Sequence, residues 1–221
     1  MRDRSITPTS PRVAAAGDRE PQTLTELLAV PGVTETVTRR STFGFMAIHG
    51  GQLEAVTDTI AARAAVRAGA SYYGVVHPAG YCAHLASIRY RSAESDALAA
   101  FLGHVDVVVS MHGYGRRDRW TTLLLGGSNR VLAAHLGAEL GRHLPDYDAV
   151  TDLDAIPREL RGLHPANPVN IPAGGGVQVE LPPRVRGLSP QSPPTGPDGL
   201  SPPTRALIEA LAVAATSWAA R

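Results

Sequence analysis

Short apolar runs and helical periodicities alternate along most of the chain. Phe43-Gly44-Phe45-Met46-Ala47-Ile48 is a continuous apolar run of strand length, and after two glycines a helical spacing continues to about Arg67. Tyr72 to Val76 and Leu85 to Arg89 read as further strands. Ser92 to Leu102 has helical spacing, with Glu94 and Asp96 in the first turn, where acids suit the positive end of the helix dipole. Val105-Asp106-Val107-Val108-Val109-Ser110-Met111 is the clearest strand, β-branched and almost wholly apolar as a strand buried on both faces should be. Thr121 to Leu125 is another, and Ser128 is placed to cap a helix running to about His143. Val177-Gln178-Val179-Glu180-Leu181 alternates apolar and polar residues. This order predicts an α/β fold, a three-layer sandwich around a mostly parallel or mixed central sheet.

The flanks carry a different pattern. Residues 1–22 mix Arg, Ser, Thr, Pro and Asp without periodicity, which predicts a disordered arm ahead of a domain over residues 23–186. Proline pairs at Pro182-Pro183, Pro193-Pro194 and Pro202-Pro203 remove backbone donors and fix φ, predicting an extended connector over residues 187–203. Residues 204–221 place Leu207, Leu211, Ala214 and Trp218 at helical spacing, a C-terminal helix expected to dock on the core.

Composition narrows the chemistry. With 221 residues, 43% hydrophobic and 19% charged, the chain suits one globular domain with tails. No apolar run approaches the roughly 20 residues of a membrane span, so no membrane partner is expected. The 21 basic and 20 acidic side chains nearly cancel, so nucleic acid is not an expected partner either. Every basic residue is arginine, which leaves no lysine for Schiff-base or phosphate-loop chemistry. Gly174-Gly175-Gly176 precedes a strand instead of opening a helix, and so fails the context of a phosphate loop. The single cysteine, Cys82, excludes an internal disulfide or a Cys-rich zinc finger and reads as a small buried hydrophobe.

In open α/β sheets, ligands gather at the carboxyl ends of strands. Three strands here end in chemistry: His49-Gly50-Gly51-Gln52-Leu53-Glu54 after the first, His112-Gly113 after the strongest, and Glu180 on the last. Two imidazoles and a carboxylate suit a zinc ion that keeps one position open, and a further carboxylate, Glu180, would carry the proton from water to a leaving nitrogen. Gly50-Gly51 would let the chain turn so that His49 and Glu54 reach the same ion. Singly, each feature has an ordinary reading: a His-Gly pair ends many strands, and a lone glutamate on a strand is commonly solvated.

Together these segments resemble the poly-γ-glutamate hydrolase family, zinc enzymes known first from bacteriophage with a fold related to zinc carboxypeptidases. The resemblance rests on Ala47-Ile48-His49-Gly50-Gly51-Gln52-Leu53-Glu54 with Thr57, on Tyr72-Tyr73, and on His84-Leu85-Ala86-Ser87. It continues through Val109-Ser110-Met111-His112-Gly113, Leu125-Gly126-Gly127, Asn167-Pro168-Val169-Asn170 and Gly176 to Leu181. It covers roughly Phe43 to Arg186. It implies His49, Glu54 and His112 as Zn2+ ligands, Glu180 as general base and acid, and hydrolysis of an amide bond in an anionic glutamyl polymer or peptide. Arginine pairs with carboxylate through two parallel hydrogen bonds. Arg89 is the first choice for that contact; Arg116 and Arg117 come second, with a solvated loop as their plain reading. His84 and Asn170 complete the set of substrate-facing candidates. His77, His104, His135 and His143 have no partner at ligand spacing, His135 and His143 read as surface residues, and His164, before Pro165 in a loop, is assigned no role.

Two departures from the family pattern fall in expected substrate loops: Ile171 stands after Asn170 where an arginine is common, and Tyr90-Arg91-Ser92-Ala93-Glu94 replaces an acidic, proline-ended stretch. They leave the expected zinc chemistry intact and open the choice of substrate, so that a zinc amidase acting on cell-wall peptide or an N-acyl amino acid is the second reading. A binding protein on the same fold is the third, and against it stands the presence of His49, Glu54, His112 and Glu180 together. With neither a signal-like N-terminus nor disulfides, the expected location is cytoplasmic, with release by lysis for a phage-derived enzyme.

Overall fold

The computed structural model describes residues 20–219. Most of the expected N-terminal arm lies outside the described residues. The strands are β1 (Thr34–Thr38), β2 (Phe43–Gly51), β3 (Ser71–His77), β4 (Val107–Gly113), β5 (Thr122–Leu125), β6 (Asp148–Val150) and β7 (Gly176–Leu181). The helices are α1 (Leu24–Leu28), α2 (Thr57–Ala68), α3 (Asp96–Leu102), α4 (Arg130–His143) and α5 (Pro202–Ala219). All seven strands join one mixed sheet in the order β1-β3-β2-β4-β7-β5-β6. Its centre, β3-β2-β4-β7, is parallel. β1 runs antiparallel to β3 and β5 antiparallel to β7, while β6 is parallel to β5.

Alternation along the central strands sorts side chains into two cores. Phe45, Ala47, Val109 and Met111 pack on one face with Ile60 of α2, Leu136 of α4 and Leu207 and Leu211 of α5. Met46, Ile48 and Val108 face the other way, towards Leu24 and Leu27 of α1 and Leu98 and Phe101 of α3. Helices therefore cover both faces, which is why β2, β4 and β7 are buried almost end to end. A smaller cluster of Tyr114, Leu124 and Ile156, with Leu153 and Leu160, fixes the loop that follows β6.

Several expectations are corrected. Leu85 to Arg89 is not a strand: it is a loop closing in a 3-10 turn at Ser87–Arg89. β3 already has β1 on one side and β2 on the other, so this segment cannot pair with the strand it follows. Ser92–Glu94 is also a 3-10 turn, and α3 begins only after Ser95, whose hydroxyl accepts the Leu98 amide at 3.0 Å. Glu94 turns instead to α1 and accepts the Leu24 amide at 2.7 Å. The cap of α4 is Asn129, not Ser128, through a 2.8 Å bond from the Leu132 amide. Residues 187–203 are not extended but fold back in successive turns, with Leu200 buried and the Gly196 amide donating to the Leu200 carbonyl. Cys82 is exposed. His135 and His143 are partly buried, and His135 bonds the Ala214 carbonyl and Ser217 hydroxyl of α5. Among the described residues no helix is long and apolar enough to cross a membrane.

Candidate metal centre

The carboxyl ends of β2, β4 and β7 lie side by side, and His112 is in direct register with Glu180. Residues in register on parallel strands project to the same face, so these two share one side of the sheet. Strict alternation after Ile48 would send His49 to the opposite face. The pairing of β2 with β3 is irregular between Ala47 and Gly50, and that irregularity frees His49 from the alternation. Its ring stands 5.1 Å from that of His112, nearly perpendicular to it. Beyond the strand, Gly51 has φ +70°, and a Cβ there would run into the His77 backbone of β3. The loop then folds Glu54 under His49, its amide donating to the His49 carbonyl at 2.8 Å. The last residue before α2, Val56, also lies in the left-handed region at φ 76°, an outlier for a β-branched residue.

The result is a cluster in which ligand atoms of His49, Glu54 and His112 all lie within 4.8 Å of one another. Glu54 Oε1 is 2.9 Å from His49 Nδ1, and Glu54 Oε2 is 3.5 Å from His112 Nδ1. The outer nitrogens of both rings are occupied. His49 Nε2 lies 2.9 Å from the Leu85 carbonyl, and His112 Nε2 lies 3.1 Å from the Ser110 hydroxyl. A carbonyl can only accept, so His49 carries its hydrogen on Nε2 and, when neutral, aims the Nδ1 lone pair at a carboxylate oxygen. Two acceptors 2.9 Å apart require a cation between them, either a proton or a metal. The donor set therefore fits a divalent metal: two imidazole nitrogens, that of His49 in the tautomer fixed by the Leu85 carbonyl, and one carboxylate.

The electrostatics agree. Burial opposes ionisation of Glu54, yet His49 and His112 together override it and hold the carboxyl well below its usual range. Burial also opposes a charge on His112, but the carboxylates Glu54 and then Glu180 raise its proton affinity. Glu180 behaves in the opposite way: burial pushes its carboxyl up, and His112 offsets this only partly. The cleft thus holds one carboxylate kept ionised and another biased towards holding a proton.

The other candidates are placed as follows. Glu180 lines the same cleft, of about 750 Å³, as the three cluster residues. His84 also lines it, exposed, with its ring 4.7 Å from that of His49. Burial and the nearby His49 lower its proton affinity. Arg89 is exposed and does not line the cleft. Asn170 braces the cleft wall from behind, its amide donating to the carbonyls of Gly162 at 2.7 Å and His164 at 3.0 Å. Arg116 is engaged in an exposed ion pair with Glu159, which does line the cleft. Arg117 is exposed and outside the cleft.

Sequence reasoning missed three contributors. Gln178 donates from Nε2 to Glu180 Oε1 at 2.8 Å and accepts from Asn167 Nδ2 at 2.9 Å. Its place two residues before Glu180, on the same face of β7, was a usable signal. Arg186, 9% exposed, donates to the Ala55 carbonyl at 2.9 Å and fills the space against Gly113 that a side chain would take. The cleft wall over residues 158–164 has no periodicity that could have announced it.

The comparisons bear on the fold and the family. No curated protein matches the sequence. The structure of a bacteriophage poly-gamma-glutamate hydrolase superposes with a TM-score of 0.73 at 20% identity, covering 88% of this chain and 94% of that one. The zinc-free form of YNDL superposes at 0.67 with 21% identity, covering 87% and 95%. Both likenesses establish the shared fold. The sequence profile of the poly-gamma-glutamate hydrolases matches residues 24–189, three quarters of the chain and every strand of the sheet, and the chain belongs to that family.

Proposed function

We propose that this protein is a zinc-dependent amide hydrolase that cleaves γ-linked glutamyl chains, with His49, Glu54 and His112 holding the metal and Glu180 moving the proton. The observation that carries the reading is the convergence of two Nδ1 atoms on the oxygens of one carboxylate, in a cleft that also presents a second, protonatable carboxylate. A zinc ion held there would supply Lewis acidity, making an attacking water acidic enough to react near neutral pH.

The chain's own residues do the rest. Leu85 and Ser110 orient the two imidazoles, and the Gly113 amide donates to Glu54 Oε2 at 2.9 Å. Gln178 fixes one oxygen of Glu180 and leaves the other for proton transfer. Glu180, 4% exposed with its proton affinity raised by burial, is suited to take a proton from water and give it to the departing nitrogen.

The test is the chain length of poly-γ-glutamate after incubation with zinc-loaded protein, run beside Glu180→Gln. Shortening by the wild type alone is the expected result. Retained zinc without shortening would reject the glutamyl substrate and turn attention to peptide or N-acyl amides.

A further inference from the structure

The floor of the cleft presents an electrostatic problem. Glu54 and Glu180 both lie there, and a glutamyl chain brings a free carboxylate with every residue. Cations must therefore be found on the walls. Three arginines stand on or beside the wall over residues 158–164, and their states differ. Arg116 is paired with Glu159. Arg161 donates from Nε to the Ile156 carbonyl at 2.9 Å and lies 3.7 Å from Asp154. Arg158 is exposed and lines the cleft, and its guanidinium makes no hydrogen bond or ion pair among the described residues, although its carbonyl accepts the Arg161 amide.

The wall that carries Arg158 is braced. The backbone turns through a 3-10 helix at Arg158–Leu160, closed by the Leu160 amide on the Pro157 carbonyl at 2.9 Å. Ile156 and Leu160 on either side pack into the cluster with Tyr114 and Leu124. Asn170 holds the far end of the wall through the Gly162 and His164 carbonyls. A long cationic side chain on a fixed base, facing a cleft, has its guanidinium fork free for a carboxylate. The pairing of Arg116 has a matching effect, since it neutralises Glu159, the one acid of that wall segment.

We propose that Arg158 is a specificity-determining residue: its guanidinium takes a free carboxylate of the substrate and holds the chain in the cleft that His49, Glu54, His112 and Glu180 also line. This rests on the hydrolase reading above and deepens it, because it assigns the selection of an anionic substrate to a residue outside the metal centre.

The test uses zinc-loaded Glu180→Gln protein, which should bind without cleaving, and a short γ-linked glutamate oligomer in two forms, free acid and side-chain methyl ester. Adding Arg158→Ala should weaken binding of the free acid roughly tenfold and leave the ester unchanged. Arg158→Lys should recover part of the loss, and Arg117→Ala, outside the cleft, should have no effect. Equal affinity for the free acid with and without Arg158→Ala would overturn the assignment while leaving the hydrolase reading intact, as would an equal loss for acid and ester. If neither oligomer binds and the wild type does not shorten poly-γ-glutamate, the glutamyl reading falls and this assignment falls with it.

Discussion

Gln178→Leu isolates the support of the proposed proton carrier from the metal. Leucine nearly conserves the volume but removes the bond to Glu180 Oε1 at 2.8 Å and the bond from Asn167 Nδ2 at 2.9 Å, together with a long contact to the Leu160 carbonyl at 3.5 Å. The first is a bond to a carboxylate, worth about 1.5–3 kcal/mol. If most of that holds Glu180 in its reactive position, kcat falls by about 10–100-fold. The second leaves the Nδ2 of Asn167 without its side-chain partner, at a cost of about 1–3 kcal/mol in stability. In a domain of this size each kcal/mol lowers the melting temperature by about 2–4 °C. Bound zinc should stay stoichiometric, because neither bond involves His49, Glu54 or His112, and KM should change little. The measurements are kcat and KM on poly-γ-glutamate, metal content by atomic spectroscopy, and thermal unfolding. Gln178→Asn, which keeps the amide on a shorter stem, should not restore the rate. A folded, zinc-loaded Gln178→Leu protein with undiminished kcat would show that Glu180 needs no such hold.

Three further outcomes are expected. His112→Ala should lower bound zinc sharply while leaving a folded domain, and full occupancy in that variant, read by metal analysis, would remove His112 from the ligand set. Gly51→Ala should cost at least about 2 kcal/mol in denaturant unfolding, since the residue sits at φ +70° with no room before the His77 backbone; wild-type stability would contradict the close approach of β2 and β3. His77 is buried with neither ring nitrogen paired, and burial first, then the nearby His49, lowers its pKa to about 4. A depressed histidine contributes stability that is complete above the unfolded value near 6.5 and lost as pH falls towards 4. The full shift corresponds to about 3 kcal/mol, and roughly half that is expected at the end of a strand, where water can relax around a new charge. The melting temperature of His77→Phe should therefore fall less steeply than that of the wild type between those pH values; parallel curves would refute the assignment.

The legible part of the fold was the part where burial repeats with a fixed period. β2, β4 and β7 are covered on both faces, so their apolar runs announced them, and His49, His112 and Glu180 stand at their ends because parallel strands collect their termini on one edge. β1 was not legible: Thr34 to Thr38 is a half-exposed edge strand whose position depends on pairing with β3, not on its own pattern. The same logic explains the false strand at Leu85 to Arg89. Leu85 and Tyr90 are buried there, but their polar partners are His49 and its neighbour: the Leu85 carbonyl faces His49, and the Tyr90 hydroxyl donates to the Ile48 carbonyl at 2.8 Å. A run that lines a site can look like a strand because both bury alternate apolar residues. The cleft wall was opaque for the opposite reason, since its residues are fixed by hydrogen bonds to distant segments and not by any local repeat.

The distribution of charge around the cleft separates two tasks that a polyanion-cleaving site must combine. Close to the bond being broken, the cluster needs negative ligands to hold a cation and a carboxylate to carry a proton. Further out, the same negative field repels the substrate. Here the negative groups are sunk into the floor, with Glu180 at 4% exposure and Glu54 flanked by two imidazoles. Arg186 lies behind them, too deeply buried to meet a substrate carboxylate but close enough to favour the charges of Glu54 and Glu180. Its bond to the Ala55 carbonyl also ties it to the loop that carries Glu54. The exposed arginines stand on the wall, where a chain would first arrive. Coulomb attraction in that partly hydrated cleft is screened over about 8 Å at physiological salt, so Arg158 can steer a carboxylate without competing for the ligands of the metal. The arrangement makes binding salt-sensitive and the metal centre comparatively indifferent to salt. Raising the ionic strength should increase KM for a γ-glutamyl polymer while leaving kcat and bound zinc nearly constant. A parallel fall in kcat would mean that the wall and the floor are not separable in this way.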